Sequence, residues 1–245
     1  MEKYGLKGIL DGIISYSFTK AFLLMERIPK RKIQYLKTCY TTNLNIGAGL
    51  DWEKDNWIAI DKYYDGDSGI RLDLLKGNGL LDHFKDNSVD SVYSTHALEH
   101  FTYNEAYKVL RSINLILRHN GVCRIVVPDM HLIARQFCFG PKIWWKTNNM
   151  SGKKFDYKNE LDVHHNFLDA LGINTFSPYE RNKMEISRGS HFYAYSFVIL
   201  KELLIKCGFH SNYIYQCRFN QTKYEIFKNM DDRPMCSLHV EAVKK

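Results

Sequence analysis

Apolar residues fall along this chain in two patterns: short continuous runs between glycine, asparagine and acidic turns, and segments where they recur every third or fourth position. Residues 44–46 and 57–60 are runs of the first kind, the length of buried parallel strands. A third short strand or extended segment falls at 70–75. Residues 89–94 alternate apolar and polar as a fourth strand, which runs into the polar loop Thr95-His96-Ala97-Leu98-Glu99-His100. Residues 121–128, with Val122, Ile125, Val126 and Val127, form a fifth that ends on Pro128-Asp129. The helical pattern appears after Thr102, where Glu105 completes a capping box and Ala106, Val109, Leu110, Ile113 and Leu117 mark one face. Asn120-Gly121 is expected to stop that helix. Residues 195–207 predict a second helix, ended by Gly208, and 213–219 with 238–243 predict two last strands as a hairpin at the sheet edge. Strands alternating with helices define an α/β chain, with a mostly parallel sheet flanked by helices.

Two segments break this rhythm. At the start, Leu6, Ile9, Leu10, Ile13 and Ile14 recur at helical spacing, and Phe18, Phe22, Leu23 and Met25 continue it roughly. Asp11 and Lys20 interrupt the stretch and no small-residue cleavage site follows, so residues 1–38 read as a helical arm rather than a signal or a span. With Lys30-Arg31-Lys32 at its end, the arm could also touch the inner face of a membrane peripherally. Residues 131–190 carry Trp144-Trp145, His164-His165 and Pro178 between short helical pieces. An insertion after the fifth strand would overhang the carboxyl edge of the sheet, the place for a substrate lid. The remainder, 39–245, is one domain.

Composition narrows the class without choosing a partner. The 245 residues are 45% hydrophobic and 14% aromatic with five prolines, which describes a packed chain rather than a disordered one. The net charge of +7 suits an anionic substrate, nucleic acid or an acidic membrane, and its scatter suits a solvated surface equally. Six cysteines without a Cys-x-x-Cys pair read as free thiols in a reducing cytoplasm.

The chemistry gathers at strand ends. Gly47 and Gly49 permit a sharp turn and close approach of a ligand, and Asp61 closes the second strand with a carboxylate that could hold both hydroxyls of a ribose. Asp73 falls at the end of the third strand; each acid could instead be a cap or a surface group. The motifs Leu-Asn-Ile-Gly-Ala-Gly, Ile-Ala-Ile-Asp, Arg-Leu-Asp-Leu, Val-Asp-Ser-Val-Tyr-Ser-Thr-His-Ala-Leu-Glu-His and Gly-Val-Cys-Arg-Ile-Val-Val-Pro-Asp together resemble the class I S-adenosylmethionine-dependent methyltransferases. His-x-Leu-Glu-His and Val-Pro-Asp further resemble a bacterial subgroup of surface-polysaccharide and nucleotide-sugar pathways.

The resemblance implies a Rossmann-like, seven-stranded sheet and S-adenosyl-L-methionine as cofactor. Asn45, Gly47, Ala48 and Gly49 would face its methionine part, Asp61 with Lys62 its ribose, Asp73 with Leu74 its adenine, and Ser94, Thr95 and His96 would lie beneath the sulfonium. One departure stands out: only residues 50–56 separate Gly49 from Trp57, too few for the usual first crossover helix, so Leu50, Asp51 and Trp52 are expected to wall the pocket as a loop.

The expected activity is methyl transfer to a hydroxyl or amine of a sugar, nucleotide-linked sugar or surface-glycan substituent, as in capsule or lipopolysaccharide biosynthesis. An RNA methyltransferase and a non-catalytic cofactor-binding scaffold are the alternatives. The first lacks a basic stripe interleaved with aromatics, which speaks against nucleic acid, and retention of both acids speaks against the second. For a hydroxyl acceptor a base is required, with His96 the candidate nearest the cofactor and His191, His164 and His165 behind it. Asp129 could orient a base or cap a helix, while Arg188, His191 and Tyr195, with His164 and His165, are candidates for acceptor contact. His96, Glu99 and His100 have metal-like spacing that His164-His165 could complete, but the reading adopted is no metal, with Glu99 and His100 bonding the loop and capping the following helix. Acceptor identity and homo-oligomerisation stay open.

Overall fold

The computed structural model describes residues 41–147, 163–164, 167–168, 170–171 and 191–245. The expected arm (1–38), His165, Arg188 and most of the insertion lie outside the described residues. The strands are β1 (Asn43–Ile46), β2 (Trp57–Asp61), β3 (Gly69–Arg71), β4 (Val89–Thr95), β5 (Leu117–Pro128), β6 (Ile214–Cys217) and β7 (Ser237–Val243). They form one seven-stranded sheet of order β3-β2-β1-β4-β5-β7-β6. Strands β1 to β5 pair parallel, while β7 runs antiparallel between β5 and β6. This is a Rossmann-like, mostly parallel sheet, with two antiparallel pairings near its end. The expected hairpin is present as the pairing of β6 and β7, with β6 alone at the edge.

The two faces are unlike. On one, Leu44, Ile46, Ile58, Ile60, Val92, Ile125, Val127 and Val240 pack beneath two helices, α1 (Tyr103–Ile116) and the later Phe197–Lys206. The capping box at the start of α1 forms as expected: Thr102 Oγ1 accepts from Glu105 N, and Glu105 Oε2 accepts from Thr102 N. The helix stops at Ile116, four residues earlier than expected, because Leu117 is extended and pairs with Val89 at the start of β5. Lys244 Nζ donates to the carbonyls of Leu115 and Leu117, satisfying groups that a helix end leaves open.

The other face carries Trp57, Tyr93, Val122, Val126 and Val243, covered by Phe227 from the loop between β6 and β7 and flanked by Trp52. That loop is tied down by a buried ion network. Arg124, fully buried on β5, donates through Nε and Nη2 to Asp231 and through Nη1 to Glu241. The carbonyls of Arg218 and Gln221 accept from its remaining N–H groups. Such a bidentate guanidinium pair fixes geometry as well as energy.

The short link between β1 and β2 is a loop, as expected from its length. Asp65 N donates to Leu50 O, Asn43 Nδ2 donates to Asn56 O, and Asn56 takes φ +65° to close the return.

After β5 come α2 (Met130–Phe139) and α3 (Lys142–Thr147), followed much later by α4 (Phe197–Lys206). Ile133, Trp144, Trp145, Val163, Ala170 and Cys236 form a satellite core separate from the main one. The described part of the insertion therefore carries its own apolar centre and joins the domain at Cys236, immediately before β7.

Candidate active site

The carboxyl ends of β3, β2, β1 and β4 are consecutive in the sheet, so the candidate cofactor residues share one edge. At the end of β1, Gly47 N and Ala48 N both donate to Ile60 O, and Gly49 N donates to Asp61 Oδ2 at 3.1 Å. Tyr63 N donates to the other carboxylate oxygen at 2.8 Å. The glycine turn and the strand-ending acid are thus one hydrogen-bonded unit. Gly47 takes φ +72°, and a side chain there would overlap the Cβ of Ala97. Gly49 takes φ +86° and faces open space. One glycine is needed for packing and the other leaves room for a ligand. Asn45, 1% exposed, has neither amide atom hydrogen-bonded among the described residues, an uncompensated polar group of the kind a ligand would satisfy.

Farther along, Asp73 Oδ1 accepts from Leu75 N at 3.1 Å and Leu74 is half-buried against the main core. Asp73 therefore shapes its own turn, the role weighed against ligand contact. Lys62 is exposed, its Nζ 4.8 Å from the ring centre of Tyr63.

At the end of β4, Ser94 is buried, Thr95 Oγ1 points to Asp232 Oδ1 at 3.5 Å, and His96 adopts φ +47°. A left-handed backbone is uncommon outside glycine, and it is concentrated at functional turns. Both ring nitrogens of His96 are engaged: Nε2 lies 2.8 Å from Ser237 Oγ, and Nδ1 lies 3.1 Å from Glu99 Oε1. A ring whose Nδ1–H faces a carboxylate presents Nε2 as the basic atom, which here receives the Ser237 hydroxyl. Burial alone would raise the Glu99 carboxyl, but His96, His100 and His191 around it hold it below its ordinary value. Glu99 is thus the orienting carboxylate of His96. Sequence reasoning assigned it only to loop bonding and missed Ser237 altogether, because Ser237 reaches the site only through the pairing of β7 with Pro128 of β5.

His191 is buried beside the same carboxylate, its Nε2 4.0 Å from Glu99 Oε1 and its Nδ1 3.1 Å from Ala170 O. Glu99 O accepts from Phe192 N and Tyr193 N, so the backbone itself sets the two segments together. Desolvation lowers the His191 imidazole below its ordinary value, against the pull of the Glu99 carboxylate.

The remaining candidates separate. Asp129 is the N-cap of α2, its Oδ1 accepting from His131 N and Leu132 N, the capping alternative of the sequence reading. Tyr195, expected at an acceptor surface, is wholly buried, bridges backbone to Asp129 and turns its hydroxyl toward Leu98 O at 3.5 Å. Its ring belongs to the main core, and burial raises its phenol, so it supports the loop rather than offering a contact. His164 is exposed, edge-on to Phe137 at 4.9 Å in the satellite core. Five cysteines among the described residues are free, and burial pushes Cys123 to about 12, fitting inert thiols.

Residues 48–125 match the family model of the methyltransferase domain. The match takes in Gly49, Asp61, Asp73 and the β4 loop, supports an S-adenosylmethionine-dependent methyltransferase, and indicates S-adenosylmethionine as the cofactor. No curated protein matches the chain. Among solved structures, the chain is similar to an S-adenosylmethionine-dependent methyltransferase from Archaeoglobus fulgidus at 15% identity and TM-score 0.44, covering 88% of this chain and 90% of that one. It is similar to another from Mesorhizobium loti at 16% identity and TM-score 0.42, covering 83% and 90%. Against the CurJ carbon methyltransferase it has 12% identity and TM-score 0.42, covering 94% of this chain and 58% of that one, so it spans little more than half of that relative.

The residues fit the cofactor. An anionic Asp61 at the end of β2, the open space at Gly49 and the orphaned Asn45 amide line one edge, with Asp73 and Leu74 beyond it. When bound, S-adenosylmethionine supplies an electrophilic methyl on a sulfonium.

Proposed function

We propose that this protein methylates a hydroxyl or amine of a sugar, a nucleotide-linked sugar or a surface-glycan substituent. The observation that carries the reading is the pair His96–Glu99, a carboxylate-oriented imidazole at the edge where the cofactor residues converge. A sugar hydroxyl is a weak acid and needs such a base, whereas an amine needs it less. The sugar preference rests on the resemblance of His-x-Leu-Glu-His and Val-Pro-Asp to the polysaccharide subgroup.

In this account the chain's own groups do three things. Asp61 and the glycine turn orient the cofactor, so that collinear approach of the acceptor is set before reaction. His96 Nε2 takes the acceptor proton, directly once Ser237 swings away or through the Ser237 hydroxyl, which then hands its own proton to the ring. Glu99 stabilises the imidazolium so formed. The insertion, 131–190, serves as the lid, and the reaction is placed in the cytoplasm. Among the described residues no helix is long and apolar enough to cross a membrane; peripheral contact of the arm with a membrane is part of the proposal.

Mass spectrometry of surface glycans and nucleotide-sugar pools, with and without the gene, tests the reading. A methyl group missing from a sugar in the deletion is expected; unchanged glycans and sugar pools would overturn the proposed acceptor class.

A further inference from the structure

Apart from the base pair, Glu99 faces a second set of groups. The donor atoms of Glu99, His100 and His191 all lie within 4.8 Å of one another. This is not the set suggested by spacing along the chain, because the His96 ring is engaged with Ser237, while His191, ninety-two residues from Glu99, has entered. Two observations distinguish it from a chance cluster. Glu99, a side chain 1% exposed, has the His96 Nδ1 contact at 3.1 Å on Oε1, but neither carboxylate oxygen meets full hydrogen-bond geometry with a donor among the described residues. His191 sets Nδ1 3.1 Å from the Ala170 carbonyl, to which it donates, so Nε2 is the ring atom turned to Glu99 Oε1, at 4.0 Å.

We propose that Glu99, His100 and His191 bind a divalent first-row transition ion, Zn2+ or Mn2+ by donor type. Two imidazoles and one carboxylate are the ligand chemistry of such ions, harder than a thiolate site and softer than the all-oxygen cages of calcium or magnesium. Ligands at about 2.0–2.2 Å around a tetrahedral ion stand about 3.3–3.6 Å apart, so the 4.0 Å pair, in a cluster whose donor atoms all lie within 4.8 Å, closes by about an ångström or less when an ion enters. The Nδ1 bond of His191 to a carbonyl is the second-shell contact that fixes a metal-binding tautomer. Three protein ligands leave positions for water or for an acceptor oxygen, whose proton the ion would make easier to remove. The site shares Glu99 with the His96 pair of the proposed function, so its test reads metal binding rather than turnover.

The full chain, stripped with EDTA and dialysed, is titrated with Co2+ as a visible-absorbing probe and then challenged with Zn2+ and Mn2+. One equivalent of Co2+ is expected to give d–d bands that Zn2+ displaces and that Mn2+, the weaker binder, displaces only in large excess. Glu99→Gln, His191→Ala and His100→Ala are each expected to weaken Co2+ binding at least a hundredfold, with circular dichroism and cofactor affinity retained. His100→Ala, at the least buried ligand, keeps the test decisive if a core variant fails to fold. No stoichiometric Co2+ spectrum in the wild type, or unchanged affinity in folded variants, would overturn the site.

Discussion

The main-chain N–H of Gly49 donates to the Asp61 carboxylate at 3.1 Å, joining the turn after β1 to the acid that ends β2. With no crossover helix between them, this bond and the pairing of Gly47 and Ala48 amides with Ile60 O hold the cofactor edge in shape. The two glycines then differ in a measurable way. Gly47→Ala drives a methyl into Ala97 and should destabilise the domain by about 1–3 kcal/mol in urea unfolding. Gly49→Ala meets no atom and should cost about 1–2 kcal/mol for its left-handed backbone, while weakening cofactor binding more than its stability loss explains. Equal losses of stability and unchanged affinity would remove the distinction.

His96 should show the kinetic signature of a base. His96→Ala is expected to lower kcat by roughly 10²–10⁴-fold with cofactor affinity retained. Ser237→Ala should reduce kcat less, and Glu99→Gln should resemble His96→Ala. A folded His96→Ala variant turning over at the wild-type rate would place the base elsewhere.

Arg124 anchors the loop that seals one sheet face, and removing it leaves Asp231 and Glu241 buried without their cation. Arg124→Ala should therefore cost about 3–5 kcal/mol in denaturant unfolding. A loss below 1 kcal/mol would show that the network is not what holds the loop.

Stability should fall on the acid side. Desolvation lowers the buried His239 imidazole, so the folded state stays neutral where the unfolded chain, near its ordinary value of about 6.5, takes up a proton. The contribution is complete above that value and is lost as pH falls below it. Asp231 acts in the same sense at lower pH: burial would raise it, but Arg124 and Asn220 hold it down, and its contribution goes as the carboxyl is protonated. Thermal unfolding from pH 8 to 4 should show a plateau followed by a decline beginning near pH 6.5; a midpoint that rises on acidification would contradict this.

Much of the fold was legible because its signals are local. The capping box at Thr102 and Glu105, the stop at Gly208 and the short link 50–56 each depend on residues near in sequence. The end of α1 was misjudged because a contact from distant Lys244 and the pairing of Leu117 with Val89 decide it. At the site, glycines and strand-ending acids are motif-borne and could be read. Ser237 and the burial of Tyr195 could not, since each arises from pairing between segments about a hundred residues apart or more, and the contact of His96 with Glu99, only three residues away, depends on the left-handed turn at His96 rather than on the spacing alone.

S-adenosylmethionine is expected to bind at the edge formed by β1, β2 and β4, with the Asp61 carboxylate as its anchor. Calorimetric titration of wild type and Asp61→Ala tests it most directly. Loss of charge-assisted hydrogen bonds worth about 1.5–3 kcal/mol predicts one-to-one binding in the wild type, weakened roughly 10- to 100-fold in the variant with circular dichroism unchanged. Binding of equal strength in the two proteins, or none in the wild type, would contradict the account.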